Sequence, residues 1–320
     1  MRLLPFYLLL ALLVGCAAPD TQPGHTDGDL TVLTDRPESM TYRNLMLLPI
    51  IDAQPEADFA SYQTLDRAIE MPGFYITEKK PHGRFDDSNA VNTLTVQSKL
   101  RDTTILLEGD IIQGGNQDRI IAETTIVPPM TVMDIPVFCV EKGRWHYREN
   151  DKANEQERKI YAFTGHFNMG SQSLRATVRH KADQQAVWDE VGNITKANAA
   201  ESSTKTYTHL QNSEQFATDL AQYIEFFKER FADRDDMVGV VAVSGGRIIG
   251  TDVFGSTTLF ERKYEALLHS YATEAITNGE PVTVSPQVLE SYTDRVQRDV
   301  RKGGADRFDV SGRMVHYSKL

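Results

Sequence analysis

Polar side chains that could hold a small ligand are concentrated in two short segments of this 320-residue chain. Residues 108–119 and 139–146 each combine arginine, carboxylate and glycine, and the second segment adds a cysteine and a tryptophan. Arginine presents a planar fork that pairs with phosphate or carboxylate oxygens, and an indole ring offers a flat face to a base or a sugar. This composition predicts a site for a small anionic ligand.

The expected roles follow from the chemistry of each side chain. The residues expected to contact the ligand are Gln113, Gln117, Arg119, Arg144 and Trp145. Asp118 and Glu141 are the candidate catalytic residues, since a carboxyl group can act as general acid or base or accept ribose hydroxyls. Gly114 and Gly115 would let backbone N–H groups approach an anion closely. If the site catalyses a reaction, we expect hydrolysis.

The same residues also fit a purely structural interpretation. Gly114-Gly115-Asn116 is typical of a turn. Arg119 and Arg144 would then pair with Asp118 and Glu141 as ordinary ion pairs at the edge of a sheet. Composition alone favours this structural interpretation over a ligand site.

The two polar segments meet only if the strands that carry them pair. Residues 119–127 and 131–140 are strand-like and flank Pro128-Pro129, which predicts a hairpin. In that hairpin Arg119 and Cys139 lie near the same sheet edge, so the two segments converge. Cys139 stands in an apolar stretch and is interpreted as a small buried hydrophobe, because a nucleophilic thiol would need a lowered pKa.

The rest of the chain predicts an α+β fold, with a mainly antiparallel sheet in the N-terminal half and with helices and a further β-hairpin in the C-terminal half. Strands are predicted over residues 30–33, 44–51, 74–78, 90–97, 103–107 and 314–317, and helices over 64–70, 171–198, 211–232, 257–277 and 286–301. Ser244-Gly245-Gly246 predicts a hairpin turn between residues 238–243 and 247–253. Asn212 with Gln215, and Thr258 with Glu261, suit helix caps.

Several common kinds of site find no support in the sequence. Gly245-Gly246 lacks the Lys-Ser/Thr of a P-loop, and no Gly-x-Ser-x-Gly elbow occurs. The eight histidines show no metal-ligand spacing, so neither a metal nor a cofactor is predicted. A net charge of −11 argues against a nucleic-acid partner and against electrostatic adhesion to anionic lipid.

The first residues indicate export and lipid attachment. Arg2 precedes an apolar run over residues 3–13, which is the layout of a secretory signal peptide and is far shorter than the roughly 20 residues of a membrane span. Leu13-Val14-Gly15-Cys16 resembles the lipobox of bacterial lipoproteins, in which the cysteine is lipidated. The alternative is an ordinary signal peptide followed by an incidental cysteine. With Cys16 lipidated, Cys139 has no partner for a disulfide.

These features divide the chain into three parts. Residues 1–15 are the expected signal peptide, and residues 16–40 are the lipidated cysteine and a flexible tether rich in Pro, Gly, Asp and Thr. Residues 41–320 form the expected single α+β domain. If this domain divides into two parts, the predicted boundary is the polar, exposed segment 148–158. We expect the protein in the cell envelope, on the periplasmic face of the outer membrane in a Gram-negative cell.

Two motifs resemble a bacterial domain family of uncharacterised function, named for its association with ADP-ribosylglycohydrolase and rhodanese-phosphatase proteins. They are Gly109…Gln113-Gly114-Gly115-x-Gln117-Asp118-Arg119 and Cys139-Val140-Glu141-x-Gly143-Arg144-Trp145. Softer matches fall at residues 45–49, 77–78, 173–175, 187–188, 238–239 and 252–254. The resemblance implies a part in NAD or ADP-ribose metabolism, and therefore an ADP-ribose-like or sugar-phosphate substrate for any hydrolase activity.

Two hypotheses about function remain. In the first, the chain is a lipid-anchored envelope protein that binds a small anionic ligand, either a phosphorylated or a nucleotide-like sugar. In the second, it is a non-catalytic structural or interaction lipoprotein with no small-molecule site. The identity of a protein partner and the oligomeric state are not readable from the sequence.

Overall fold

The computed structural model describes residues 30–53, 55, 58–78, 91–144 and 162–320. The strands are β1 (Thr31–Val32), β2 (Thr41–Tyr42), β3 (Leu45–Ile51), β4 (Gln63–Thr64), β5 (Phe74–Glu78), β6 (Thr93–Ser98), β7 (Thr104–Leu106), β8 (Asp110–Gly114), β9 (Arg119–Ile121), β10 (Thr125–Val127), β11 (Thr131–Cys139), β12 (Ala162–Met169), β13 (Met237–Ser244), β14 (Arg247–Phe254), β15 (Arg307–Val310) and β16 (Arg313–Lys319). The helices are α1 (Leu65–Ala68), α2 (Gln172–Lys181), α3 (Gln184–Ala197), α4 (Glu214–Arg230), α5 (Thr257–Asn278) and α6 (Pro286–Lys302). The predicted α+β class is confirmed.

The largest sheet has the order β1-β3-β13-β14-β16-β15, with β2 also beside β3. Its strand β3 confirms the predicted strand with two buried faces. Leu45 and Leu47 pack into a core with α4 and α5. Met46, Leu48 and Ile50 pack into the second core, with α6. This alternation is what the two-residue period of a strand produces when helices cover both faces of a sheet.

The other large unit is a closed barrel with the order β11-β6-β5-β12-β8-β9. Its interior is filled by apolar side chains such as Ile76, Leu94, Ile112, Ile135 and Phe163. A barrel of this size leaves an interior that side chains fill. A small sheet of β10, β7 and β4 accompanies the barrel and contains a parallel pair, β4 with β7.

Helix α5 joins the barrel to the sheet. Its predicted apolar stripe packs in the sheet core through Leu267, Leu268, Tyr271 and Ala275. An adjacent stripe is polar and equally buried, and consists of Lys263, Ser270 and Glu274. Spacings of seven and four residues place these three side chains on one face.

The polar stripe of α5 bonds to the barrel and to the start of α2. Lys263 Nζ donates to Asp110 Oδ1 on β8 at 2.7 Å, and Ser270 Oγ donates to the carbonyl of Gly170 at 2.6 Å. Glu274 Oε2 accepts the backbone N–H of Ser173 at 2.8 Å. The contact between the barrel and α5 is therefore polar, and hydrogen bonds determine its register.

A second buried ion pair links α2 to the sheet. Arg175 donates to both carboxylate oxygens of Asp252 on β14, at 2.8 and 3.0 Å. Asp252 also accepts the hydroxyl of Tyr271 and bonds to His316 Nε2 at 2.9 Å. Burial raises the pKa of the Asp252 carboxyl, but Arg175 and His316 outweigh burial and hold that pKa well below its usual range. Asp252 is therefore a fixed negative charge.

Several predicted boundaries are wrong. Residues 119–127 are not one strand, because β9 pairs in the barrel and β10 pairs with β7. Residues 171–198, predicted as one or two helices, are the two helices α2 and α3, which separate at Ala182, whose φ is 47°. Strand β8 falls inside the segment 108–119 that the sequence left as a loop between strands, and β12 was not predicted.

The predicted helix caps differ from those observed. Helix α4 is capped by Ser213, whose side chain accepts the N–H of Phe216, instead of by the Asn212 and Gln215 pair. Ser256 precedes α5 without any side-chain cap, so Thr258 does not cap that helix.

The predicted short strand near residue 30 is confirmed as β1, which pairs with β3. The segment 148–158 lies outside the described residues.

His269 on α5 makes stability depend on pH. Burial lowers the pKa of its imidazole to about 4, Glu265 raises it, and Lys228 and His166 lower it slightly. Between pH 6.5 and 4 the unfolded chain binds a proton here that the folded chain does not, so the free energy of unfolding falls as pH falls. We expect His269→Gln to reduce this loss by about 2 kcal/mol at pH 4.5.

Urea unfolding of the wild-type protein and the variant at pH 7 and pH 4.5 measures this difference. The matched control is His180→Gln, because His180 is exposed on α2. Equal loss of stability in wild-type protein and in His269→Gln would contradict the assignment.

Candidate functional site

The two predicted polar segments do converge. Strands β9 and β11 pair so that Arg119 lies opposite Cys139, as the predicted hairpin requires. Arg144, which follows β11, then reaches the turn between β8 and β9. We call Asp118, Arg119, Glu141 and Arg144 the arginine cluster.

Arg144 binds protein acceptors with each nitrogen of its guanidinium group. Nη1 donates to the carbonyl of Gly115 at 2.7 Å, and Nη2 donates to the carbonyl of Gly114 at 3.1 Å. Nε donates to Glu141 Oε2 at 2.9 Å, and Nη2 also contacts Asp118 Oδ1 at 3.3 Å. The side chain is 5% exposed. Arg144 therefore fastens the two loops to each other.

Arg119 is fully buried beside the same loop. Its Nη1 donates to the carbonyl of Gln117 at 3.0 Å, and Nη2 contacts Glu78 on β5 at 3.3 Å. Its Nε is buried and has no hydrogen-bond partner among the described residues. Arg119 thus holds the turn between β8 and β9 against β5.

The two carboxylates of the arginine cluster, Asp118 and Glu141, also bind groups of the protein. Asp118 accepts the N–H of Gly114 through Oδ1, and the hydroxyls of Thr206 and Thr208 through Oδ2 at 3.0 and 2.9 Å. Glu141 accepts the N–H of Asp118 at 3.1 Å. Burial raises the pKa of the Glu141 carboxyl, but hydrogen bonds from Arg144 and from the Asp118 backbone lower it below its usual value. A lowered pKa suits an ion-pair partner better than a general acid.

The remaining predicted site residues differ in their burial, and two of them lie outside the described part of the chain. Gln113 is half-buried on β8, and Gln117 is buried in the turn between β8 and β9. Trp145 and Cys16 lie outside the described residues. The geometry of the arginine cluster matches the structural interpretation given above, and ligand binding by these side chains stays a prediction.

Cys139 is buried, as expected for a small hydrophobe. Burial raises the pKa of its thiol to about 11, although nearby Arg119 opposes the shift. The thiolate is the nucleophilic form of cysteine, so this thiol is inert near neutral pH.

A different set of titratable groups borders open space. Asp110 at the start of β8 accepts Lys263 Nζ at 2.7 Å and pairs with His166 Nε2 at 3.1 Å. Its other oxygen accepts the N–H of Leu107 at 3.0 Å. Burial raises the pKa of the Asp110 carboxyl, but Lys263 and the His166 hydrogen bond outweigh burial and hold the pKa far below its usual range. Asp110 is therefore ionised.

The ionised Asp110 determines which nitrogen of His166 carries the proton. A carboxylate only accepts hydrogen bonds, so Nε2 must be the donor. Nδ1 makes no hydrogen bond to any residue that the structure describes. In the neutral ring Nδ1 then has an available lone pair.

His166 lines a cavity of about 540 Å³, within the range of small-ligand pockets. We call it the α1–α5 cavity. Its lining residues are Asp66, Arg67, His166, Asn168, Thr258, Glu261, Arg262, Glu265 and Ala266. Within the described part of the chain, no group of three His, Cys, Asp or Glu side chains is arranged to hold a metal ion.

Few features of the sequence indicate this cavity. The spacing of the histidines does not single out His166, and Lys263 lies inside the helix predicted over residues 257–277. Asp110 belongs to a motif that carried the family resemblance, but its partner lies 153 residues away. A lysine next to an apolar stripe is the one local signal that could have indicated a buried partner.

Arg144→Ala distinguishes the two interpretations of the arginine cluster. It leaves Asp118 and Glu141 buried without that cation, so we expect the free energy of unfolding to fall by about 3–5 kcal/mol. Urea unfolding measures the loss, with exposed Arg101→Ala as the control. Unchanged stability together with lost ligand binding would contradict the structural role.

Comparisons with known proteins agree with the resemblance seen in the motifs. A family model described as the ARG and Rhodanese-Phosphatase-superfamily-associated Protein domain, ARPP-1, matches residues 35–317. No curated protein and no solved structure matches the chain significantly. Among the described residues, no helix has the length and apolar character needed to cross a membrane. The chain belongs to the ARPP-1 domain family.

Proposed function

We propose that this protein is a lipid-anchored cell-envelope protein whose ARPP-1 domain binds a small anionic ligand that also carries hydroxyl groups. A phosphorylated or nucleotide-like sugar has this chemistry. The observation that carries the proposal is the α1–α5 cavity, where two guanidinium groups and an oriented imidazole line the same space. The proposed location is the periplasmic face of the outer membrane in a Gram-negative cell.

The positive potential in the cavity comes from Arg67 and Arg262, which have no acidic partner among the described residues. Asp66 lies 3.7 Å from Lys263, and Glu265 accepts Lys228 at 2.7 Å. No ion pair of Arg67, Arg262 or Glu261 is present among the described residues. Lys263 is shared between Asp66 and Asp110, so the acids and bases around the cavity balance, and the two arginines are the cations that a ligand can reach.

The start of α5 adds to this positive potential. Thr258 lies in its first turn and lines the cavity, and Ser256 provides no side-chain cap. A helix N-terminus carries roughly half a positive charge and presents N–H groups to an anion. Arg262, whose Nη1 donates to the carbonyl of Tyr62 at 2.5 Å, is held at the same end of the helix.

The other lining groups suit hydroxyls. Asn168 offers both a donor and an acceptor, Thr258 offers a hydroxyl, and Glu261 accepts hydrogen bonds. A ligand with a phosphate near the arginines and a sugar near these groups would satisfy both halves of the cavity. The alternative, a structural or interaction lipoprotein, agrees with the arginine cluster and stands if the cavity binds nothing.

Thermal unfolding of the mature domain with ADP-ribose, nucleotides, sugar phosphates and dicarboxylates tests the binding. A ligand at a hundred times its Kd adds about 2.7 kcal/mol to stability. Arg67 is exposed, so Arg67→Gln should leave the apoprotein as stable as before. It should weaken binding by roughly tenfold or more, because a charge-assisted hydrogen bond contributes about 1.5–3 kcal/mol.

Arg101→Gln is the matched control, because Arg101 is equally exposed and does not line the cavity. No stabilisation by any compound in the panel, or equal binding by wild-type protein and Arg67→Gln, would refute binding in this cavity.

The proposed anchor is tested on the N-terminus of the protein isolated from cells. We expect mass spectrometry to find Cys16 as the first residue, carrying acyl chains, and Cys16→Ser to move the protein into the soluble fraction. Each buried methylene contributes roughly 0.8 kcal/mol, so several chains hold the protein firmly. Cys139 serves as the internal control and should remain an unmodified thiol. An unmodified N-terminus would contradict the anchor.

A further inference from the structure

We propose that His166 is a general base that activates water for hydrolysis of a phosphate ester bound in the α1–α5 cavity. The proposal rests on the proposed function, since it needs the phosphorylated ligand to bind there. Asp110 and Lys263 are positioning residues in this account. Neither is placed in contact with the substrate.

The first step of the argument is the orientation of the imidazole. Asp110 Oδ1 holds His166 Nε2 at 3.1 Å, and the same oxygen accepts Lys263 Nζ at 2.7 Å. The carboxylate is completely buried and is also held by the N–H of Leu107. His166 therefore has one tautomer in its neutral form, with the unprotonated Nδ1 available to accept a proton.

The second step is access to a substrate. The side chain of His166 is 8% exposed, and the open space next to it is the cavity that Arg67 and Arg262 also line. A general base must lie within hydrogen-bond reach of the proton it removes, directly or through one water. Guanidinium groups stabilise the charge that develops on the oxygens of a transferring phosphoryl group.

The reaction balances without a redox partner. The oxygen of a water molecule forms a bond to phosphorus while His166 Nδ1 accepts a proton from that water. The bond between phosphorus and the sugar oxygen breaks, and the electron pair leaves on the sugar oxygen, which takes a proton from solvent. The imidazolium then returns its proton to solvent, and the products are a free hydroxyl and a phosphate.

Charged groups from three elements lie around His166. They are Asp110 on β8, Asp66 and Arg67 on α1, and Lys263, Glu265 and His269 on α5. Only the neutral imidazole accepts a proton, so activity should rise with pH.

The test is phosphate release from p-nitrophenyl phosphate and sugar phosphates by the mature protein. His166→Gln keeps an amide donor for Asp110 but lacks the proton acceptor. We expect kcat to fall by a factor of 10²–10⁴ with KM changed little, and the rising limb of the pH profile to disappear. His180→Gln, at an exposed position on α2, should behave as wild type.

A second variant separates chemistry from folding. His166→Ala should regain part of its turnover when imidazole is added to the assay, an effect that a purely structural role would not produce. If the wild-type protein binds a ligand but releases no more phosphate than His166→Gln does, this inference is wrong and the proposed function stands. Absence of both binding and turnover would overturn both. Turnover that His166→Gln does not lower would also overturn the assignment of the base.

Discussion

The ion pair between Lys263 and Asp110 joins the two halves of the molecule and sets the chemistry of the cavity beside it. Removing two charges from water costs several kcal/mol for each ion, and only good geometry with further hydrogen bonds repays that cost. Asp110 has those bonds, from Lys263, from the backbone of Leu107 and from His166. The pair ties α5 to the barrel, and the charge that it fixes on Asp110 determines the tautomer of His166.

The same principle recurs two turns further along α5. Arg175 and Asp252 form a fully buried pair that links α2 to the large sheet, with Tyr271 of α5 as a third member. Gly109 packs directly against Arg175, where a methyl group would come within 2.8 Å of that side chain. Gly109, which immediately precedes β8, and Asp110, its first residue, therefore connect the two buried pairs. These contacts account for the polar residues at the start of the Gly109 motif. The arginine cluster closes the neighbouring turn between β8 and β9.

The sequence pattern predicted the elements that depend on residues close together in the chain. The continuous apolar run of β3, the period of α4 and the pairing of Arg119 with Cys139 all follow from residues close together in sequence. Strand β12 was missed because Gly165, His166 and Asn168 interrupt any apolar alternation. These polar residues are tolerated since Asp110 and the cavity lie next to them. The candidate site could not be predicted because its residues come from α1, β8, β12 and α5, which only the tertiary fold brings together.

The central claim is that an ionised Asp110 holds His166 with Nε2 protonated and leaves Nδ1 without a proton. Nitrogen-15 NMR of the histidine side chains at neutral pH tests it directly, with the His166 signals identified by their absence from the His166→Gln spectrum. This account predicts a single tautomer, with a proton on Nε2 and a bare Nδ1. A proton on Nδ1, or an average of two rapidly exchanging tautomers, would contradict it.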